Sequence, residues 1–76
     1  MGTDMVEITA YMEANVWRVL VQEGDPVQEG DPVVILESMK MEIPVESPIG
    51  GTVTNVSVRE GDAVKEGDAL LHVRGE

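Results

Sequence analysis

Cysteine is absent from these 76 residues, which removes disulfides, thiol chemistry and any zinc site built on thiolates. A single histidine, His72, leaves no histidine cluster to hold a metal instead. Phenylalanine is also absent, and Trp17 and Tyr11 are the only aromatics, so valine supplies much of the apolar content and β-branched packing has to carry the fold. Basic residues are few: 5 Lys and Arg stand against 15 Asp and Glu, for a formal charge of −10. That balance repels phosphate backbones and anionic lipid, so neither nucleic acid nor a membrane is expected as a partner. No apolar run approaches membrane-spanning length and no basic-then-apolar leader precedes the domain, which gives a cytoplasmic expectation. Helical periodicity is missing too. A chain of this length makes one domain and buries only about 60% of its unfolded surface, so the core is thin.

What the chain does contain is a repeat. An offset of 37 residues aligns Val16 to Glu37 with Val53 to Arg74, and ten of the twenty-two pairs are identical without a gap. Each copy carries two Glu-Gly-Asp turns six residues apart, in which Gly24, Gly30, Gly61 and Gly67 are structural turn glycines and the adjacent acids cap the turns. Short strands between closely spaced turns imply a small sandwich or barrel. Two copies pack most simply about a pseudo-two-fold axis, each covering the apolar face the other exposes, so neither half folds alone. The acids lack the alternating ligand pattern of a calcium loop, and no metal site is assigned.

Between the copies lies Glu37-Ser38-Met39-Lys40-Met41-Glu42. Pairing outward from Met39-Lys40 sets Ser38 opposite Met41, Glu37 opposite Glu42, Leu36 opposite Ile43 and Val34 opposite Val45. Two-residue hairpin loops favour Asn-Gly or Asp-Gly because they need left-handed backbone angles, yet Met and Lys occupy this one. Glu37 facing Glu42 adds like charges across the ladder, which destabilises it. A tip that breaks two local rules points to function. The bland alternative is a solvated lysine with Met39 and Met41 folded back as filler. Under the 37-residue offset Lys40 corresponds to Thr3 and to the position after Glu76, so the chain ends are expected together, opposite the tip.

Other residues carry structural readings. Pro44 marks an edge strand or a bulge, because its missing N–H must cost no ladder bond. Gly50-Gly51 links the halves. Trp17 alternates with core-facing neighbours and belongs on the outer face or at a barrel end, where packing is favoured over docking, Lys65 is a solvated turn residue, and His72 is a strand-end structural histidine without a paired acid. Residues 1–4 form a flexible start, 5–74 one domain and 75–76 a tail.

From about Val6 to Val73 the chain resembles the biotinyl/lipoyl attachment domains, whose biotin-bearing members carry a Met-Lys-Met hairpin inside a duplicated β-fold. It is most similar to the short, free-standing type, which also reads Glu-Ser-Met-Lys-Met-Glu-Ile-Pro, here Glu37 to Pro44. The thumb-like insertion of some acetyl-CoA carboxylase carriers is missing between Val16 and Gly24. The resemblance implies an all-β fold, a flattened antiparallel barrel-sandwich hybrid of two four-stranded sheets with a pseudo-two-fold internal repeat. It also implies biotin joined to Lys40 by a biotin protein ligase that recognises Met39, Met41, Glu37 and Glu42. The modified domain then shuttles carboxylate between biotin carboxylase and carboxyltransferase sites, engaging both transiently as a monomer that is not itself an enzyme. Two alternatives stand beside this. One is a lipoyl carrier, or a dual biotin/lipoyl acceptor served also by a lipoate ligase, on the same Lys40, although lipoyl tips typically read Asp-Lys-Ala. The other is an unmodified structural barrel-sandwich module with Lys40 inert.

Overall fold

The repeat becomes two matching sheets. In a computed structural model, which describes residues 4–75, the strands are β1 (Met5–Thr9), β2 (Ala14–Val19), β3 (Pro26–Val27), β4 (Pro32–Ser38), β5 (Met41–Glu46), β6 (Gly51–Val56), β7 (Ala63–Val64) and β8 (Ala69–Gly75). One sheet runs β1-β8-β6-β3 and the other β5-β4-β2-β7. All pairings are antiparallel. The 37-residue offset turns β2, β3 and β4 into β6, β7 and β8, so one sheet order maps onto the other. Each half sends its shortest strand across: β3 pairs with β6, and β7 pairs with β2.

Four copies of one turn set the corners. The N–H of Asp25, Asp31, Asp62 and Asp68 donates to the carbonyl three residues back, and the Oδ2 of each acid accepts the N–H of that same residue at 2.9 Å. The glycine before each acid has φ between 90° and 96°, a backbone that a Cβ disfavours. Cross-half bonds recur in matching positions. The Gly24 N–H donates to Val53 O at 2.7 Å, and the Gly61 N–H to Val16 O at 2.8 Å.

The inner faces meet in a core that is mostly valine, with Leu36, Leu70 and Leu71 fully buried at its centre. Strand bulges also repeat, since Trp17 and Thr54 are skipped between consecutive ladder pairs in β2 and β6. Trp17 lies on the outer face, one of its two expected places, 39% exposed, and Pro44 sits on the edge strand β5.

Several details differ from the sequence reading. Gly51 opens β6, opposite both Gly75 and Val27, and a Cβ there would run into the Arg74 carbonyl, so close backbone approach demands this glycine. His72 is central in β8 rather than at a strand end, and its Nε2 lies 3.3 Å from Glu7 Oε2 across the β1–β8 ladder. The fold takes in one residue more at each end than the 5–74 limits, because the Gly75 N–H donates to the Asp4 carbonyl at 2.6 Å. The rest of the start expected for residues 1–4, and Glu76, lie outside the described residues. No helix among the described residues is long and apolar enough to cross a membrane.

Candidate functional site

The β4–β5 ladder runs without interruption from Val34↔Val45 to Ser38↔Met41, and this register leaves only Met39 and Lys40 to reverse the chain. Every pair expected from the sequence is present, including Glu37 opposite Glu42. Met39 and Lys40 take φ of 52° and 67°, and they are the positive-φ residues other than glycine among those described. Both central residues of the hairpin are therefore left-handed, a conformation that costs an L side chain about 1–2 kcal/mol per residue. The ladder behind the tip has to supply that energy. Its inward residues Leu36 and Val45 are buried, and Ile43 packs against the core.

The side chains at the tip do nothing to offset the strain. Met39 is 92% exposed and Met41 63%, so neither folds back as core filler. Lys40 is exposed and has no ion-pair partner among the described residues, although Glu37 and Glu42 lie just behind it. A primary amine free of a carboxylate, on a two-residue mount stiffened by a β-ladder, suits covalent acylation. No buried acid or histidine stands beside it, and no group of three metal-ligating side chains occurs among the described residues.

Behind Lys40 is an open cleft of about 520 Å³ lined in part by Glu13, Asn15, Glu37, Ser38 and Ala63. Sequence reasoning missed Glu13, Asn15 and Ala63. Ala63 arrives there on β7, the strand exchanged from the other half, and no local motif signals that contribution. The turn glycines lie within the four repeated corners. The Ser38–Met41 pair behind the tip and the Asp4–Gly75 pair occupy matching positions of the two sheets.

Residues 4–73 match the family described as "Biotin-requiring enzyme". The chain belongs to the biotin/lipoyl attachment family. Among curated relatives it is 48% identical over 50 residues to the biotinylated protein TB7.3 homolog of Mycobacterium leprae, covering 66% of this chain and 70% of that one. It is 47% identical over 49 residues to the biotin/lipoyl attachment protein of Bacillus subtilis, covering 64% and 67%. Two solved structures superimpose on nearly all of it. A single-chain, multi-domain long-chain acyl-CoA carboxylase gives a TM-score of 0.89 at 29% identity over 95% of this chain. The Kluyveromyces lactis urea carboxylase gives 0.86 at 30% identity over 92%. This chain spans only 7% and 6% of those two proteins. In this family the barrel-sandwich is a carrier body.

Proposed function

We propose that this chain is a biotin carrier, modified on the Lys40 ε-amine by a biotin protein ligase in the cytoplasm. The observation that carries this reading is the tip itself: an exposed lysine held at φ 67° beside a methionine that is 92% exposed, where the fold gains nothing from either side chain. The relatives named as biotinylated and the likeness to two carboxylases support it.

In the ligation a base of the ligase takes a proton from the Lys40 ammonium, because the charged form has no lone pair for attack. The amine nitrogen adds to the acyl carbon of biotinyl-adenylate and gives up a second proton to solvent, the bond from that carbon to the phosphate oxygen breaks, and AMP leaves with the bonding electron pair. The product is a neutral amide. Met39, Met41, Glu37 and Glu42 form the surface that the ligase reads in this proposal, since they flank Lys40 in the hairpin and all but Glu37 lie within two residues of it. When attached, biotin carries a carboxylate on its ureido ring between a biotin carboxylase and a carboxyltransferase. The chain itself makes no bond in either half-reaction. It holds one end of the arm, and tethering keeps the arm at high effective concentration for both sites.

Lipoate is the second reading, favoured only by the 47% identity to a biotin/lipoyl attachment protein. Both are tested by intact mass and tryptic mapping after expression beside a biotin ligase with biotin and, separately, a lipoate ligase with lipoic acid. A biotinyl adduct on Lys40, absent from K40R, is expected. An adduct in neither sample would overturn the carrier reading, and a lipoyl adduct in the second would make the chain a dual acceptor.

A further inference from the structure

The internal repeat supplies a control surface, because each outer face has a counterpart built on the same backbone. On the β1-β8-β6 face, three residues in one row across the strands are Asn55, His72 and Glu7. They form a polar chain: Asn55 Nδ2 is 3.5 Å from His72 Nδ1, and His72 Nε2 is 3.3 Å from Glu7 Oε2. On the β2-β4-β5 face, the same three positions are Arg18, Ile35 and Pro44. The bulge residue is Trp17 where the other face has Thr54, and beyond β2 stands Leu20 where the other half has Ser57. Trp17 and Leu20 are 39% and 45% exposed. Both halves fold the same way, so folding does not require these apolar side chains in water.

The charges around the patch say what could cover it. Arg18 lies 4.9 Å above the Trp17 ring, so its charge is already engaged by this chain's own aromatic face. The surround is acidic, with Glu37 and Glu42 toward the tip, Glu46 farther along β5, and Glu60, whose Oε2 accepts the Val19 N–H at 3.2 Å. An apolar centre with an anionic rim complements a surface with an apolar centre and a cationic rim. A second copy would oppose rim to rim and bring −10 against −10, and an anionic lipid surface meets the same repulsion. Ile35 is five residues from Lys40, about 17 Å along an extended strand. An ordinary footprint of about 800 Å² per partner spans patch and tip together.

We infer that the outer face of β2-β4-β5, centred on Trp17, Ile35 and Pro44, docks the enzyme that carboxylates the Lys40 arm, through an apolar surface of that enzyme ringed by lysine or arginine. The inference rests on the reading of Lys40 as the biotin attachment site. The opposite face, with its self-satisfied polar row, stays in solvent.

The test uses the full biotinylated chain as substrate of a biotin carboxylase with ATP and bicarbonate. W17T/L20S installs the residues that the other half carries at positions 54 and 57. Biotin on its Lys40 is expected at the wild-type level, with the KM for the carrier raised about tenfold or more, as for loss of an aromatic anchor, and kcat unchanged. The opposite-face variant N55A/S57A keeps the wild-type KM. In wild-type protein labelled with 5-fluorotryptophan, the ¹⁹F signal of Trp17 shifts or broadens when unlabelled enzyme is added. An unchanged KM in W17T/L20S, or an unmoved ¹⁹F signal, would overturn the docking face while leaving the carrier reading intact. A concentration-dependent dimer that W17T/L20S abolishes would assign the face to a second copy instead. Wild-type Lys40 left unmodified by the ligase would remove the premise as well as the face.

Discussion

Glu37 and Glu42 face each other across the β4–β5 ladder, one pair removed from the tip. Like charges in this position weaken a hairpin by a few tenths of a kcal/mol to about 1 kcal/mol. E42Q should therefore raise the melting temperature by about 1–8 °C in a scanning calorimeter. The same variant is expected to lower the initial rate of Lys40 biotinylation, because one carboxylate of the proposed ligase surface is gone. A variant that is both more stable and modified at the wild-type rate would leave the acid pair without a recognition role.

The tip backbone leads to a second stability gain. Met39 and Lys40 hold φ of 52° and 67°, which asparagine and glycine adopt at lower cost. M39N/K40G should increase unfolding free energy by about 1–2 kcal/mol in urea titrations, with an unchanged slope and no acceptor function. A fall in stability would mean that Met39 or Lys40 makes a contact worth more than its strain.

Gly51 presents the opposite case. A methyl group there meets the Arg74 carbonyl, so G51A has to push β6 away from β8. A loss of about 2–3 kcal/mol is expected, a large share of the roughly 4–11 kcal/mol available to a chain of this size. Position 14, its counterpart in the repeat, already holds alanine, and A14G should cost no more than about 1 kcal/mol. Comparable losses at both positions, measured by chemical denaturation, would contradict the close approach seen at Gly51.

The exchange of β3 and β7 makes the halves interdependent. A peptide of residues 4–47 lacks β6 and β8, the partners of β3 and β1, and a peptide of residues 48–75 lacks the β2 that β7 needs. Each alone should show an unfolded circular dichroism spectrum, and an equimolar mixture should recover sheet signal. A folded spectrum from either half would contradict the interlocked core.

Much of this arrangement was legible in the sequence, and the exceptions share a cause. The hairpin register could be read pair by pair because the two strands are joined by two residues and their apolar pattern fixes the phase. The repeat gave the pseudo-symmetry because it is long and ungapped, and Pro44, with no N–H to donate, announced an edge or a bulge, of which the fold takes the edge. What escaped was long-range. Glu7 and His72 are 65 positions apart, so an acid beside the histidine was invisible in its neighbourhood. Two-residue strands such as β7 carry no period from which to infer a partner, and so Ala63 beside the tip was missed. Gly51 looked like a link because nothing local shows that another backbone would approach it so closely.

The four aspartate-closed turns bear on a property that sounds like a matter of partners but is partly one of masonry. Asp25, Asp31, Asp62 and Asp68 each close a corner with backbone and carboxylate at once, and together they are four of the chain's fifteen acids. That share of the negative charge is a by-product of how the corners are made. A relative with a neutral or basic surface would have to keep it and add cations elsewhere, or turn its corners with uncharged residues.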